Sequence, residues 1–340
     1  MIKKRAVRTL WALALSIPLL ALINLMVGSV SIPPADVVDI LLGKDVGTEV
    51  WRNIIVQTRW PQVLTAVCCG AGLAVAGLQM QTLFQNPLAG PSVLGISNAA
   101  SLGVATMVLV GGKIAGGLTT QFGLTGNAAL IFAAISGAMA VMALMIWLGN
   151  HVGGGVTLLI VGVLIGYIAT AVTGVLKYFS NEEDVHAYVI WGLGSFSRVT
   201  GGQVKMFSCL MAVMLPFAML LAKPLNMLLL GEQYALNLGL NIRRARTLII
   251  FCSGALTAIV TAYCGPIMFL GLAVPHICRG LTGTEDHRVL LPAVCLCGAA
   301  LALVCNLVSR MPGFEGALPV NSVTALVGAP VALWVLLKRR

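Results

Sequence analysis

The sequence predicts an all-α membrane protein of ten transmembrane helices, on three observations. The 340-residue chain is 59% hydrophobic and 9% charged, with a mean hydropathy of +0.97, a balance far from that of soluble domains. Its apolar residues gather in ten runs near the ~20 residues that cross a bilayer as a helix. They lie at roughly 8–28, 61–82, 93–111, 127–148, 156–178, 204–222, 246–263, 265–279, 289–309 and 321–337. All 11 acidic residues, among them Asp45, Glu232 and Glu315, fall between these runs.

The first run follows the basic head MIKKRAVR, as a signal peptide would. Its spanning length and the poor cleavage site Ser31-Ile32-Pro33-Pro34 favour a retained helix. Between the second and third runs stands LFQNPLAGPSVLGI, residues 83–96. Pro87 and Pro91 remove backbone donors while Gly90 and Gly95 permit a reversal, so this stretch reads as a turn. The third and eighth runs are short and rich in glycine or proline.

The fifth run, preceded by HVGGGVT, carries Gly162, Gly166, Thr170, Thr173 and Gly174 near one helical face. That pattern suits either a lightly polar channel wall or close helix packing. The eighth begins GPIMFLGL, a partial echo of GPSVLGI at 90–96. An inverted repeat, spans two to five against seven to ten, would produce such an echo on opposite sides of the membrane.

An even number of spans places both termini on one side, and the larger share of the 21 lysines and arginines lies there too. Lys3, Lys4, Arg5 and Arg8, then Arg243, Arg244 and Arg246, then Lys338, Arg339 and Arg340 make that side cytoplasmic. The net charge of +10 is thus explained by lipid headgroups, and the basic residues form no aromatic-interleaved patch for nucleic acid.

Function classes narrow by elimination. No acid lies in a span to relay protons or ions, which disfavours an ion-coupled secondary transporter. No GxxxxGK[ST] loop is present, so uphill transport would draw its energy from a partner. His151, His186, His276 and His287 are scattered without ligand spacing, and most of the nine cysteines lie in apolar runs as packing residues. Neither a metal site nor a membrane enzyme is expected. The long cytoplasmic loop KPLNMLLLGEQYALNLGLNIRRARTL, 223–248, is too apolar and regular for an idle connector. It reads as short helices broken at Gly231 and Gly239, and with basic residues confined to its end a docking element for a cytoplasmic protein fits at least as well as an interfacial helix lying on the bilayer.

Four stretches carry a family resemblance: GAGLAVAGLQMQTLFQNPLAGPSVLGISNAASLG, GEQYALNLGLNIRRAR, GPIMFLGLAVPHICRGLTGTEDHR and LPVNSVTALVGAPVALWVLL. They resemble the permeases of bacterial ABC importers for iron-siderophore complexes, haem and vitamin B12, the type II importers. The resemblance implies one permease domain over 1–340, with a coupling loop at 223–246, in the bacterial inner membrane. It implies a second permease subunit, two ATPases that use ATP and Mg, and an extracytoplasmic binding protein, with no cofactor bound by this chain.

By the same resemblance, Gly231, Glu232, Ala235, Leu238 and Gly239 enter the ATPase. Arg59 and Arg310 meet carboxylates of the binding protein, although Gln62 stands where the family often has a further arginine and Arg52 is the candidate to compensate. Asn86, Leu88, Gly155 and Val156 form a cytoplasmic gate, and the fifth span lines the pathway through Gly162, Gly166, Thr170 and Thr173. The expected cargo is an iron chelate, a siderophore complex or haem, with vitamin B12 as the alternative.

Overall fold

The computed structural model describes residues 2–28, 30, 32–44, 49–110, 126–151, 154–199, 201–310 and 318–338. Asp45, Gly153, Glu315, Arg339 and Arg340 therefore lie outside the described residues, as do the remaining short gaps. All regular structure among the described residues is helical: α1 (Ile2–Met26), α2 (Pro34–Leu41), α3 (Glu49–Asn53), α4 (Trp60–Leu83), α5 (Ile96–Ala105), α6 (Asn127–His151), α7 (Gly155–Tyr178) and α8 (Glu182–Gly192). There follow α9 (Gly202–Leu220), α10 (Ala222–Leu229), α11 (Glu232–Asn237), α12 (Ile242–Cys264), α13 (Leu270–Thr282), α14 (His287–Ser309) and α15 (Val320–Lys338).

Among the described residues, 7 helices are long and apolar enough to cross a membrane: α1, the continuous helix Glu49–Leu83, α6, α7, α9, α12 and α14. The other three expected spans coincide with α5 and its π-helical extension Thr106–Val110, with α13, and with α15. The second span begins a dozen residues before its expected start, because Pro61 does not end the helix. Proline lacks an N–H and crowds the preceding turn. The π-helical turn Ile54–Arg59 absorbs this, Trp60 N–H reaching back to Ile55 O. Helix α8 was not anticipated, since its apolar content is too low for a span. Its start is nonetheless marked by Asn181 followed by Glu182, Glu183 and Asp184, acids that suit the positive end of a helix dipole.

Helices α4, α12 and α14 form the centre, inside one contiguous apolar core that extends from Leu25 to Val320. Small residues set their spacing. A Cβ on Gly70 would come 2.6 Å from the Ala302 methyl, so the glycine allows α4 and α14 to approach closely. Antiparallel neighbours then define two faces. Arg5 at the start of α1 donates to Leu281 O and Gly280 O at the end of α13, at 2.9 and 2.7 Å. Gly155, at the start of α7, lies beside Leu83 and Phe84 at the end of α4.

The two echoing stretches are breaks inside the bundle. Gly90 leads into the 3-10 turn Pro91–Leu94, and Gly95 takes φ 74° before α5 starts. Gly265 takes φ 80°, and Phe269 takes φ 69° before α13 starts. The breaks touch, since a Cβ on Gly271 would lie 2.5 Å from Pro91 Cδ and 2.7 Å from Leu73 O. From there α5 runs toward Ser180, whose hydroxyl meets Leu109 O, and α13 runs the opposite way toward Arg5. Two short helices of opposite direction, each entered through a Gly-Pro break, are the arrangement an inverted repeat produces. Backbone without helical hydrogen bonds is tolerable at membrane depth only when covered by protein. Ala89, Leu94, Gly265 and Ile267 are buried, Ser195 N–H donates to Cys264 O, and Asn321 Oδ1 accepts from Met268 N–H.

Candidate functional site

The loop after α9 folds into α10 and α11, separated by Gly231 at φ 98° and ended near Gly239 at φ 81°. Positive φ of this kind favours glycine, so both breaks predicted from the sequence are backbone requirements. Leu225 and Leu228 of α10 and Ala235 of α11 are buried, whereas Leu230, Tyr234, Leu236 and Leu238 are each more than half exposed. The exposed set forms an apolar surface on the face that holds the start of α1.

Of the expected coupling residues, Leu238 and Gly239 belong to that surface, Gly231 is the break, and Ala235 anchors the helix from below. Glu232 turns partly inward. Its Oε1 accepts from Arg246 Nη2 at 2.7 Å, while Arg246 Nη1 donates to Gly149 O at 3.1 Å. Arg246 is buried and thus pins α11 to the start of α12 and the end of α6. Tyr234 and Leu236, on either side of the buried Ala235, add to the exposed apolar residues beyond those expected from the sequence.

The expected gate residues converge on the same face. In the turn after α4, Asn86 Oδ1 accepts from Leu88 N–H at 2.9 Å, and Gln85 takes φ 47°. Pro87 O accepts from His276 Nε2 at 2.8 Å. Leu88 and Val156 are exposed, and a Cβ on Gly155 would be 3.6 Å from Leu83 O. The structure therefore brings the turn and the start of α7 side by side. Gln81, Gln85, Pro87, Leu230, Gly231 and Arg279 line a cavity of 380 Å³ between this turn and the coupling segment.

Of the four residues expected to line the pathway, three are buried within the chain. Gly162 and Gly166 are buried against the segment that leads into α5, and Thr173 is buried further along α7, its hydroxyl donating to Ala169 O. A Cβ on Gly162 would come 2.7 Å from Val93 O and 2.9 Å from Leu94 Cα, and one on Gly166 would come 3.0 Å from Asn98 Nδ2. The stripe is a packing seam in which small residues let a broken backbone lie against α7. Only Thr170 is exposed, its hydroxyl donating to Gly166 O and accepting from Asn98 Nδ2. The open face of α7 carries Leu164, Tyr167, Ile168 and Val172.

On the opposite face the two arginines differ. Arg59 is 1% exposed, so it is not presented to a partner. Its Nη1 donates to Leu25 O and Met26 O at 2.6 and 3.0 Å, and its Nη2 donates to Val30 O. The carbonyls at the end of α1 attract a cation, which explains the inward turn. Arg310 caps the end of α14 beside it, and both guanidiniums crowd Gly28. Burial, with the nearby Arg59 guanidinium, lowers the Arg310 pKa to about 10, so the group remains a cation at neutral pH. Arg52 is exposed on the same face, and Gln62 is buried.

Among the described residues, no three His, Cys, Asp or Glu side chains are grouped to hold a metal ion. The site thus combines a central bundle with broken helices, an exposed apolar surface on α11 and the residues beside it, and the turn after α4. The model of the FecCD transport family matches residues 16–338. The vitamin B12 import system permease protein BtuC of Salmonella paratyphi A is 37% identical over 340 residues, covering 99% of this chain and 97% of the relative. The protein of the same name from Salmonella typhi is 36% identical over equal coverage. Among solved structures, a metal-chelate type ABC transporter in an inward-facing conformation aligns with TM-score 0.84 and 29% identity, over 97% of this chain and 99% of that one. PsaBC from Streptococcus pneumoniae shares the fold, with TM-score 0.55 and 16% identity over 89% and 95% of the two chains. The chain belongs to the FecCD transport family.

Proposed function

We propose that this chain is the membrane-spanning permease of an ATP-driven vitamin B12 importer in the bacterial inner membrane, with both termini cytoplasmic. The observation that carries the cargo is the 37% identity, over 99% of the chain, to permeases named for vitamin B12 import. The preference drawn from motifs alone, an iron chelate as siderophore complex or haem, gives way to it. The chelate becomes the second reading, favoured by the description of the structural relative as a metal-chelate type transporter. The uncharged open face of α7 suits a bulky cargo whose recognition is left to a binding protein.

In this reading two permeases, identical or closely related, enclose the pathway. Two ATPases dock on Leu230, Tyr234, Leu236 and Leu238, and a binding protein delivers cargo to the face that carries Arg52 and Arg310. ATP and Mg are bound by the ATPases, and the chain holds no cofactor or metal of its own. Closure of the ATPase pair shifts α10 and α11 together, because the Glu232 and Arg246 pair ties the segment to α6 and α12. Nucleotide binding thereby supplies the differential free energy that switches access.

Uptake of radiolabelled cyanocobalamin, a ferric siderophore and haem by cells that lack their own permeases tests the assignment. Vitamin B12 uptake that requires this chain supports it. Uptake of a chelate alone transfers the assignment to the second reading.

A further inference from the structure

A hydrogen-bonded chain of three side chains joins the coupling segment to the end of α4. Asn226 on α10 accepts at Oδ1 from the backbone N–H of His287 at 2.8 Å and faces His287 Nδ1 at 2.9 Å. Its Nδ2 donates to Asp286 Oδ1 at 2.6 Å, and this fixes the amide orientation, since a carboxylate only accepts. Oδ1 is an acceptor, so Nδ1 carries the proton. His287 Nε2 then meets Thr82 Oγ1 at 2.8 Å, one turn before the Gln85–Leu88 stretch. Thr82 and His287 are 2% and 1% exposed. A second tie runs in parallel, Gln85 Nε2 donating to Leu228 O at 3.0 Å.

Apolar contacts between α10 and α4 are non-directional and permit sliding. A buried hydrogen-bonded chain resists it, because parting the groups leaves donors and acceptors unsatisfied. We propose that Asn226, His287 and Thr82 form the strut that carries movement of the coupling segment to the turn at the inner mouth. They are positioning residues that contact neither nucleotide nor cargo. The inference rests on the coupling-loop reading given above and adds the route by which α10 acts on the turn.

The test uses the assembled complex with its ATPase in proteoliposomes and reads hydrogen exchange by mass spectrometry, with and without ATP and vanadate. This readout needs no cargo, so it stands apart from the vitamin B12 assignment. The wild-type complex is expected to change exchange in residues 222–229 and 85–92 together on trapping. Thr82→Val, which keeps shape and loses the hydroxyl, should retain the response in 222–229 and lose it in 85–92. Thr82→Ser should restore both, and His287→Asn, which reaches Asn226 but not Thr82, should behave like Thr82→Val. In the transport assay Thr82→Val should raise the ATP hydrolysed per cargo moved by at least about fivefold, the lower end of typical coupling between sites.

A Thr82→Val complex that responds in both segments overturns the strut. So does a wild-type turn that ignores trapping. Failure of both Thr82→Val and His287→Asn to assemble with the ATPase makes the chain a folding element and likewise overturns it.

Discussion

Substituting Gly162 by alanine separates a packing seam from a channel wall. The added Cβ would lie 2.7 Å from Val93 O and 2.9 Å from Leu94 Cα, whereas ordinary contact begins near ~3.4 Å, so α7 must retreat by roughly 0.5–0.7 Å. Overpacking of that kind costs about 1–3 kcal/mol. Alanine recovers up to ~1 kcal/mol over glycine in a helix. With that gain in full, the net expectation is a loss of up to about 2 kcal/mol. Gly174, on the same helix with nothing within 4 Å of its added Cβ, is the comparison and should gain up to ~1 kcal/mol as alanine. Unfolding of the purified permease by dodecyl sulfate titration in mixed micelles reads both. Equal stability of Gly162→Ala and Gly174→Ala would refute the seam and restore Gly162 to an open wall.

Other expectations follow from the two faces. Arg59→Ala should lower stability by at least ~2 kcal/mol, because charge-assisted hydrogen bonds to the end of α1 are lost; Arg310→Glu should leave unfolding nearly unchanged and weaken capture of the loaded binding protein, read by surface plasmon resonance. Arg246→Ala frees α11 from α6 and α12, and should speed hydrogen exchange across residues 232–240 while α4 stays protected. Gly231→Ala forces a side chain to φ 98° and should cost about 1–3 kcal/mol, visible as weaker retention of the ATPase.

Asp286 caps α14 by accepting from Arg288 N–H and from Asn226, and these bonds hold its carboxyl below the ordinary carboxylate pKa. A folded pKa below the unfolded one means the stabilisation is present above the unfolded value and lost as pH falls through the folded value. Protection of the Arg288 N–H against exchange should therefore persist from neutral pH down to about 4, the unfolded value, and be lost below it as the carboxyl takes up a proton.

Much of the architecture was legible because lipid imposes length and apolarity on each span, and every expected span matches a helix. The breaks at Gly231 and Gly239 were legible for a related reason, since short amphipathic runs need a residue that tolerates positive φ. What misled was chemistry with two structural solutions. Gly162 and Gly166 fit a wall and a seam equally by spacing, and only the partner backbone of residues 93–95 decides between them. Arg59 reads as an outer-face cation, but the carbonyls left free at the end of α1 lie 33 and 34 residues earlier in the chain. Thr82, Asn226 and His287 are 61 to 205 residues apart, and a hydrogen bond over that separation leaves no periodic trace.

The most direct test of the whole account is cargo uptake into proteoliposomes that hold this permease, its partner ATPase and the loaded binding protein. Accumulation of cyanocobalamin that requires ATP and vanishes with vanadate, yet is indifferent to ionophores, is the predicted result. Uptake that persists without ATP and collapses when an ion gradient is dissipated would contradict it.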